Sequence, residues 1–261
     1  MSKISPNTDN YTIHRGKLFV RDKGATAWRA LGNAPSFSLT PNVEKYEHFS
    51  SQAGIKLKDK EITQQVSAEV SITLDEFTGA NLALPTLASR DAYTQAAAIG
   101  ETETYAAGAV VGNVFKLPAT DVSNVSITDT AGTATYVAGT HYVLDAPAGL
   151  FSVIALPADK TDTDLVVTYD VAAVTAEDSR DYLKALQDLD KEVSFMCVGV
   201  AAGGTGNSVM LVAHRLQIMP NESIEFINSG DELSQINLSG SLLADETQVG
   251  NEYFSMTELA R

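Results

Sequence analysis

Residues that could do chemistry are few along this 261-residue chain, and they are not grouped. The four histidines, His14, His48, His141 and His214, are scattered, with no HExxH pair and no cysteines to complete a zinc set. Asp145 follows His141 by four residues, a spacing that carries little weight in a predicted strand. The single cysteine, Cys197, sits in the apolar run "VSFMCVGV". There it reads as a small hydrophobe that can form neither a reactive thiolate nor an intrachain disulfide. The stretch "GGTGN" (203–207) could cradle an anion with its backbone N–H groups. It lacks the lysine and the helix of a P-loop, and reads as a hairpin turn. There is no GxSxG. Neighbouring carboxylates, Asp75 with Glu76 and Asp162 with Asp164, fall in turns or strand ends and read as solvated. The sequons at Asn124, Asn221 and Asn237 lie in a chain without an export signal. The chain is therefore read as a non-enzyme, with no catalytic, metal or cofactor-binding residue and no cofactor.

Composition narrows the classes further. Hydrophobic content of 44% with 20% charged residues is that of a globular protein, long enough for one large or two modest domains. Eighteen Lys and Arg stand against 33 Asp and Glu, a formal charge of −15. Such a chain repels nucleic acid at long range, since phosphate binding depends on basic residues releasing counterions. The opening "MSKISPNTDNYTIHRG" has no apolar core of a signal peptide, and no run of eighteen apolar residues follows. The expectation is a protein made and folded in a cytoplasm, without membrane insertion.

The elements that would position any site are mainly strands. "KLFV" (17–20), the turn "RDKGAT" and "AWRAL" (27–31) make a hairpin pattern with Gly24 in the turn. In "APSFSLTPNVE", Pro35, Phe37, Leu39, Pro41 and Val43 share one face. Ser36, Ser38, Thr40, Asn42 and Glu44 share the other. In "EITQQVSAEVSITLDEF" (61–77) the even positions from Ile62 to Leu74 are apolar except Gln64. Gln65, Ser67, Glu69, Ser71 and Thr73 line the opposite face. Both wet faces are small, polar or acidic, and neither carries a Lys or Arg, the residues that commonly guard solvent-facing strands. Between them, "KYEHFSSQAGIKLKDKE" (45–61) reads as an interaction loop: it is too long for a hairpin turn, and Tyr46, His48, Phe49 and Ile55 give it something to bury. "DEFTGANLALPTLAS" predicts a short helix limited by Pro85.

From about residue 95 to 175 the composition shifts. Short β-branched runs, "VFKLP", "VSNVSITD", "ATYVAGTHYVLD", "GLFSVIAL" and "DLVVTYDV", recur between turn residues as in a small β-sandwich. This stretch has 9 acids and 2 bases, against 24 and 16 elsewhere, as expected of a separate module. Leu183, Leu186 and Leu189 in "EDSRDYLKALQDLDKE" (177–192) predict a helix, after which strands resume. The N-terminal residues 1–12 and the C-terminal "NEYFSMTELAR" lack core patterning and read as segments ordered on assembly. The domain expectation is 1–94 and 176–261 as one interrupted β domain, with 95–175 inserted.

The block 31–84, with "SLTPNVEKYEHFSS", the lysine-alternating "GIKLKDKE" and the strand closing on "TLDEFTGANLAL", resembles the major tail tube proteins of long-tailed, non-contractile bacteriophages. "SVMLVAHRLQIMPNESIEFINSGDELSQINLSGSLLADE" is similar to the closing strands of that family. "AGTHYVLDAPAGLFSV" resembles the immunoglobulin-like domain that some members carry.

The resemblance implies a tail-tube β-sandwich or half-barrel with a flanking helix, plus an inserted immunoglobulin-like sandwich that faces outward. It implies hexameric rings that stack into a virion tail tube, assembled in the bacterial host cytoplasm. A tape measure protein would lie inside, with tail tip and terminator proteins at the ends, and double-stranded DNA would pass through without specific binding. On this reading Ser36, Ser38, Thr40, Asn42, Glu44, Gln65, Ser67, Glu69, Ser71 and Thr73 face the lumen. A conduit lined with Lys and Arg would hold DNA; this lining would let it pass. Lys45, Tyr46, His48, Phe49, Ile55, Lys56, Lys58 and Lys60 would belong to a loop that meets a neighbouring subunit or ring, for example at carboxylates of the 177–190 helix. Tube-forming proteins of contractile tails and type VI secretion are also similar. The competing expectations are a cell-surface or glycan-binding β module acting through the insert, and a hydrolase whose site has no recognisable motif.

Overall fold

The structure, a computed structural model, describes residues 13–52, 54–202, 208–220, 223–227, 230–231 and 233–259. The expectations for residues 1–12, for the "GGTGN" turn and for Asn221 lie outside them. The chain runs through β1 (Ile13–Asp22), β2 (Arg29–Ala30), β3 (Ser36–Ser50), β4 (Leu57–Leu74), α1 (Gly79–Leu82) and β5 (Ser89–Ala92). It continues as β6 (Ala98–Tyr105), β7 (Val114–Lys116), β8 (Val122–Thr128), β9 (Thr135–Tyr136), β10 (Tyr142–Asp145), β11 (Leu150–Val153) and β12 (Leu165–Val171). It ends with β13 (Asp181–Lys184), β14 (Glu192–Ala202), β15 (Ser208–Met219), β16 (Ile236–Leu242) and β17 (Phe254–Leu259). The fold is mainly β and antiparallel. Two compact units are present, Met1–Arg90 with Leu183–Arg261, and Asp91–Tyr182.

In the first unit one sheet has the order β2-β1-β14-β15-β16-β4-β3, and β17 pairs with the first half of β15. Period-2 alternation decides which face is buried: Ala68, Val70, Ile72 and Leu74 of β4 join Phe195, Leu216, Ile218, Ile236 and Leu238 in the core. Helix α1 closes one end of it. The Thr78 hydroxyl caps the helix by accepting from the Asn81 N–H at 3.2 Å, and Pro85 follows within a turn. Asn81 itself is buried. Its amide donates to the carbonyls of Leu31 and Glu76, each at 3.0 Å, and its Oδ1 accepts from Arg29 at 2.7 Å.

The second unit has two sheets, β6-β12-β8-β9 and β10-β11-β7, whose inward residues form one cluster around Leu117, Ile127, Phe151, Leu165 and Val167. The Tyr142 hydroxyl, on one sheet, donates to the Val125 carbonyl on the other at 3.1 Å. Two loops are clipped by the buried Asp129. Its carboxylate accepts from the N–H groups of Thr133, Ala134 and Thr161 and from the hydroxyls of both threonines. Those bonds, the threonine hydroxyls first, hold Asp129 far below the usual carboxylate range.

Three expectations are overturned. The helix over 177–192 does not form: Ala176–Asp178 is a single 3-10 turn, and Asp181–Lys184 is strand β13, paired with β5. Leu186 has φ of 57°, and its N–H donates to the Thr86 carbonyl at 3.0 Å. Ser179 is left-handed as well, with φ of 55°, and a right-handed helix cannot run through either residue. Asp178 accepts from the Thr175 N–H and hydroxyl as in a capping box, but the turn this starts ends at the left-handed Ser179. Second, the C-terminal stretch contains β17, with Tyr253 and Phe254 packed on the core. Third, residues 45–60 are not a loop. They extend β3 and β4 into a long hairpin, with only 51–56 connecting them.

Candidate functional site

The β3–β4 hairpin brings all ten residues of the expected wet face together as five cross-strand pairs. Ser36 faces Thr73, Ser38 faces Ser71, Thr40 faces Glu69, Asn42 faces Ser67 and Glu44 faces Gln65. Directly opposed pairs are the unit of sheet stabilisation, and the first of these is linked by its hydroxyls. Ser36 Oγ donates to Thr73 Oγ1 at 3.0 Å, and Thr73 Oγ1 donates to Asn237 Oδ1 at 3.1 Å. The polar face thus continues onto β16, where Asn237, Ser239 and Ser241 stand opposite Thr73, Ser71 and Glu69. These three were missed in the sequence, although "INLSGSL" alternates as clearly as β4 does. One strand further, Gln217 and Met219 of β15 pair with Ser241 and Ser239. The nearby Arg215 is held by the Glu192 carboxylate, with contacts of 3.0 to 3.1 Å.

Beyond Val43 and Val66 the hairpin leaves the core and both of its faces are exposed. The Tyr253 hydroxyl pins its base, donating to the Val66 carbonyl at 2.9 Å. Register slips twice in this arm, between Glu44 and Lys45 and between His48 and Phe49. At the first slip Gln64 is the extra residue. Ile62, expected beside Val66 on the apolar face, pairs with Tyr46 on the side of Glu44. Gln64, the only polar residue among the even positions, was the visible mark of this bulge.

The opposite side of the arm carries an ion cluster. Lys58 donates to Glu47 and to Glu61, each at 2.5 Å, and Lys45 contacts Glu61 as well. Lys45 first and Lys58 second pull the Glu61 carboxyl down to about 2. His48 Nδ1 lies 2.5 Å from Asp59. Two of the expected inter-subunit lysines, Lys45 and Lys58, are therefore bound within their own hairpin. Among the described residues no ion pair engages Lys56 or Lys60. Tyr46, Phe49, Ile55, Leu57 and Ile62 are left as exposed apolar groups, Ile55 at 75%.

Strand β3 is also an edge of the sheet, 15 residues long, and no described strand pairs with its outer side. The hairpin therefore combines an acidic-to-neutral polar face, an open edge and a charged arm with exposed apolar groups. The family described as "Protein of unknown function UCP028589" matches residues 11–256. The chain belongs to this family. No curated protein matches it. The matched stretch includes the whole hairpin, β16 and the second unit.

Among the described residues no group of three His, Cys, Asp or Glu could hold a metal ion. No helix there is long and apolar enough to cross a membrane. Cys197 is half-buried, and desolvation pushes its thiol up, away from nucleophilic use.

Proposed function

We propose that this chain is a structural virion protein that assembles as stacked rings into a phage tail tube. It acts as a wall and not as an enzyme, with the β3–β4–β16 face turned to the lumen. The observation that carries this reading is the pairing of Ser36, Ser38, Thr40, Asn42 and Glu44 with Thr73, Ser71, Glu69, Ser67 and Gln65 on one exposed face without a basic side chain. A wall that DNA slides along must not release its counterions, and hydroxyl, amide and carboxylate groups meet that condition. Two further features support assembly. A 15-residue edge with no described strand on its outer side is a site for pairing with another chain, most readily over residues 36–40, before Pro41 and the two register slips. The exposed arm gives a second contact outside the sheet. The partners on this reading are other copies of the chain in hexameric rings, a tape measure protein within, and tip and terminator proteins at the ends.

The test is electron microscopy of the purified protein over a range of concentration and salt, with light scattering in parallel. Hollow tubes of regular axial repeat are the expected result. A chain that stays monomeric throughout, even with a tail-tip initiator complex added, would overturn the proposal.

A further inference from the structure

The first unit holds an open apolar groove of about 620 Å³. Its floor is the end of the core face of β1, β14 and β15, which no described residue covers where the 33–37 segment stops. Gly16 and Gly199 face each other there, with Leu18, Cys197, Val209 and Leu211 around them and Phe37 on the wall. Neither glycine can carry a side chain. A Cβ on Gly16 would lie 2.7 Å from the Val198 carbonyl oxygen, and one on Gly199 would lie 2.8 Å from that of Val209. The groove is therefore built into the backbone.

We propose that this groove is the seat for the β3–β4 arm of a second copy of the chain, filled by Phe49, Ile55 and Leu57 of its tip. The proposal rests on the self-assembly reading above and names the acceptor surface for it. Three observations select this occupant. First, the arm exposes large apolar side chains that no other described residue covers. Second, it cannot fill its own groove. Phe37 lines the groove, and Phe49 is twelve residues further along the same strand, about 40 Å away at strand rise.

Third, charge favours the pairing. The chain carries −15, yet residues 43–66 hold four acids (Glu44, Glu47, Asp59, Glu61) and four bases (Lys45, Lys56, Lys58, Lys60), a net of zero. Among the described residues, the groove's only charged lining residue is Arg15. The arm and the groove are thus the parts of an acidic molecule that approach each other without mutual repulsion. A contact between different surfaces of two copies is heterologous and propagates from copy to copy, as rings and tubes require.

Cys197 in the groove floor makes the contact directly testable. Phe49→Cys, Ile55→Cys and Leu57→Cys each place a second thiol on the exposed arm, and mild oxidation of the assembled protein follows. The expected result is a ladder of covalent multimers on non-reducing gels, abolished when Cys197→Ser is added. In parallel, Val209→Lys should raise the concentration needed for assembly about tenfold or more, with the circular dichroism of the monomer unchanged. Assemblies that form normally but give no Cys197-dependent ladder at any of the three positions would overturn the docking and leave the tube reading standing. A wild-type chain that never assembles would overturn both.

Discussion

The most decisive perturbation is to make the polar face basic. Ser38 and Asn42 are exposed on β3, opposite Ser71 and Ser67, and four residues apart. Lysines at both positions would stand about 13 Å from each other, beyond the ~8 Å screening length at physiological salt. Neither would oppose a like charge. The Ser38→Lys/Asn42→Lys chain should therefore fold and assemble as the native one does.

DNA beside this face meets about 27 Å of strand between Ser36 and Glu44, a length holding roughly sixteen phosphate charges. The native face offers them no basic group. The variant offers two per copy, so each engaged copy adds about −1.8 to the slope of log K against log salt. Between 50 and 200 mM salt that is about one log unit per engaged copy, and about a thousandfold for three. The assay is retention of a short labelled duplex by sedimented assemblies across that salt range. Nuclease protection separates DNA inside from DNA outside. Native assemblies should retain nothing, and variant assemblies should retain protected duplex at low salt. Protected duplex on native assemblies, or no gain in the variant, would refute the lumen assignment.

Other outcomes follow from individual contacts. Asn81→Ala leaves the Leu31 and Glu76 carbonyls and Arg29 without their buried partner, so the first unit should lose about 3 kcal/mol or more. Fluorescence of Trp28, the only tryptophan, during denaturant unfolding reads that unit, and a loss under about 1 kcal/mol would contradict the hub. Asp129 has a folded pKa below its unfolded value. Its stabilisation is thus present above pH ~4 and is lost as pH falls below that. Asp129→Ala should weaken the second unit at neutral pH and flatten its acid dependence, measured by near-UV circular dichroism of thermal unfolding at several pH values. In the arm, the Glu61 carboxylate holds its lysine bonds above pH ~4 and gives them up as pH falls through about 2. Lys45→Ala should raise that midpoint, followed by carboxyl NMR titration; an unchanged midpoint would mean that Lys45 is not the main cause.

The strands of the first unit were legible because burial on one face imposes period 2. From Ala68 to Leu74 every second residue is in the core, and no alternative register buries the same set. The ten wet-face residues were legible for the same reason, being the complement of that set. Elsewhere the signal was different or absent. The false helix over 177–192 came from local signals, the leucine spacing with Asp178 or Ser179 as a cap and Lys191 near the end. The backbone there is held by Thr86 and Leu87, distant in sequence, and Leu186 and Leu189 stay exposed. β17 was missed because it borrows half of β15 as its partner and has only Tyr253 and Phe254 to bury. The groove could not be read at all. It exists because Gly16 and Gly199 become neighbours, which requires the pairing of β1 with β14, 183 residues apart at that point.

The hairpin itself shows why the arm is the part available to another molecule. In its inner half one face is in the core, and burial fixes the register through Ala68, Val70, Ile72 and Leu74. In its outer half no face is buried, so the hydrophobic pattern no longer specifies which residues oppose each other. Bulges at Gln64 and Asp59 and the Lys45–Glu61–Lys58–Glu47 cluster take over that role. Exposed ion pairs are individually weak and fade with salt. An arm held this way keeps its register without a core, yet leaves its aromatic and aliphatic groups uncovered. Local rules break where a second surface is needed to complete them. On this argument the arm's geometry alone cannot carry assembly: removing its apolar tip should abolish association while the ion cluster, and hence the hairpin, persists.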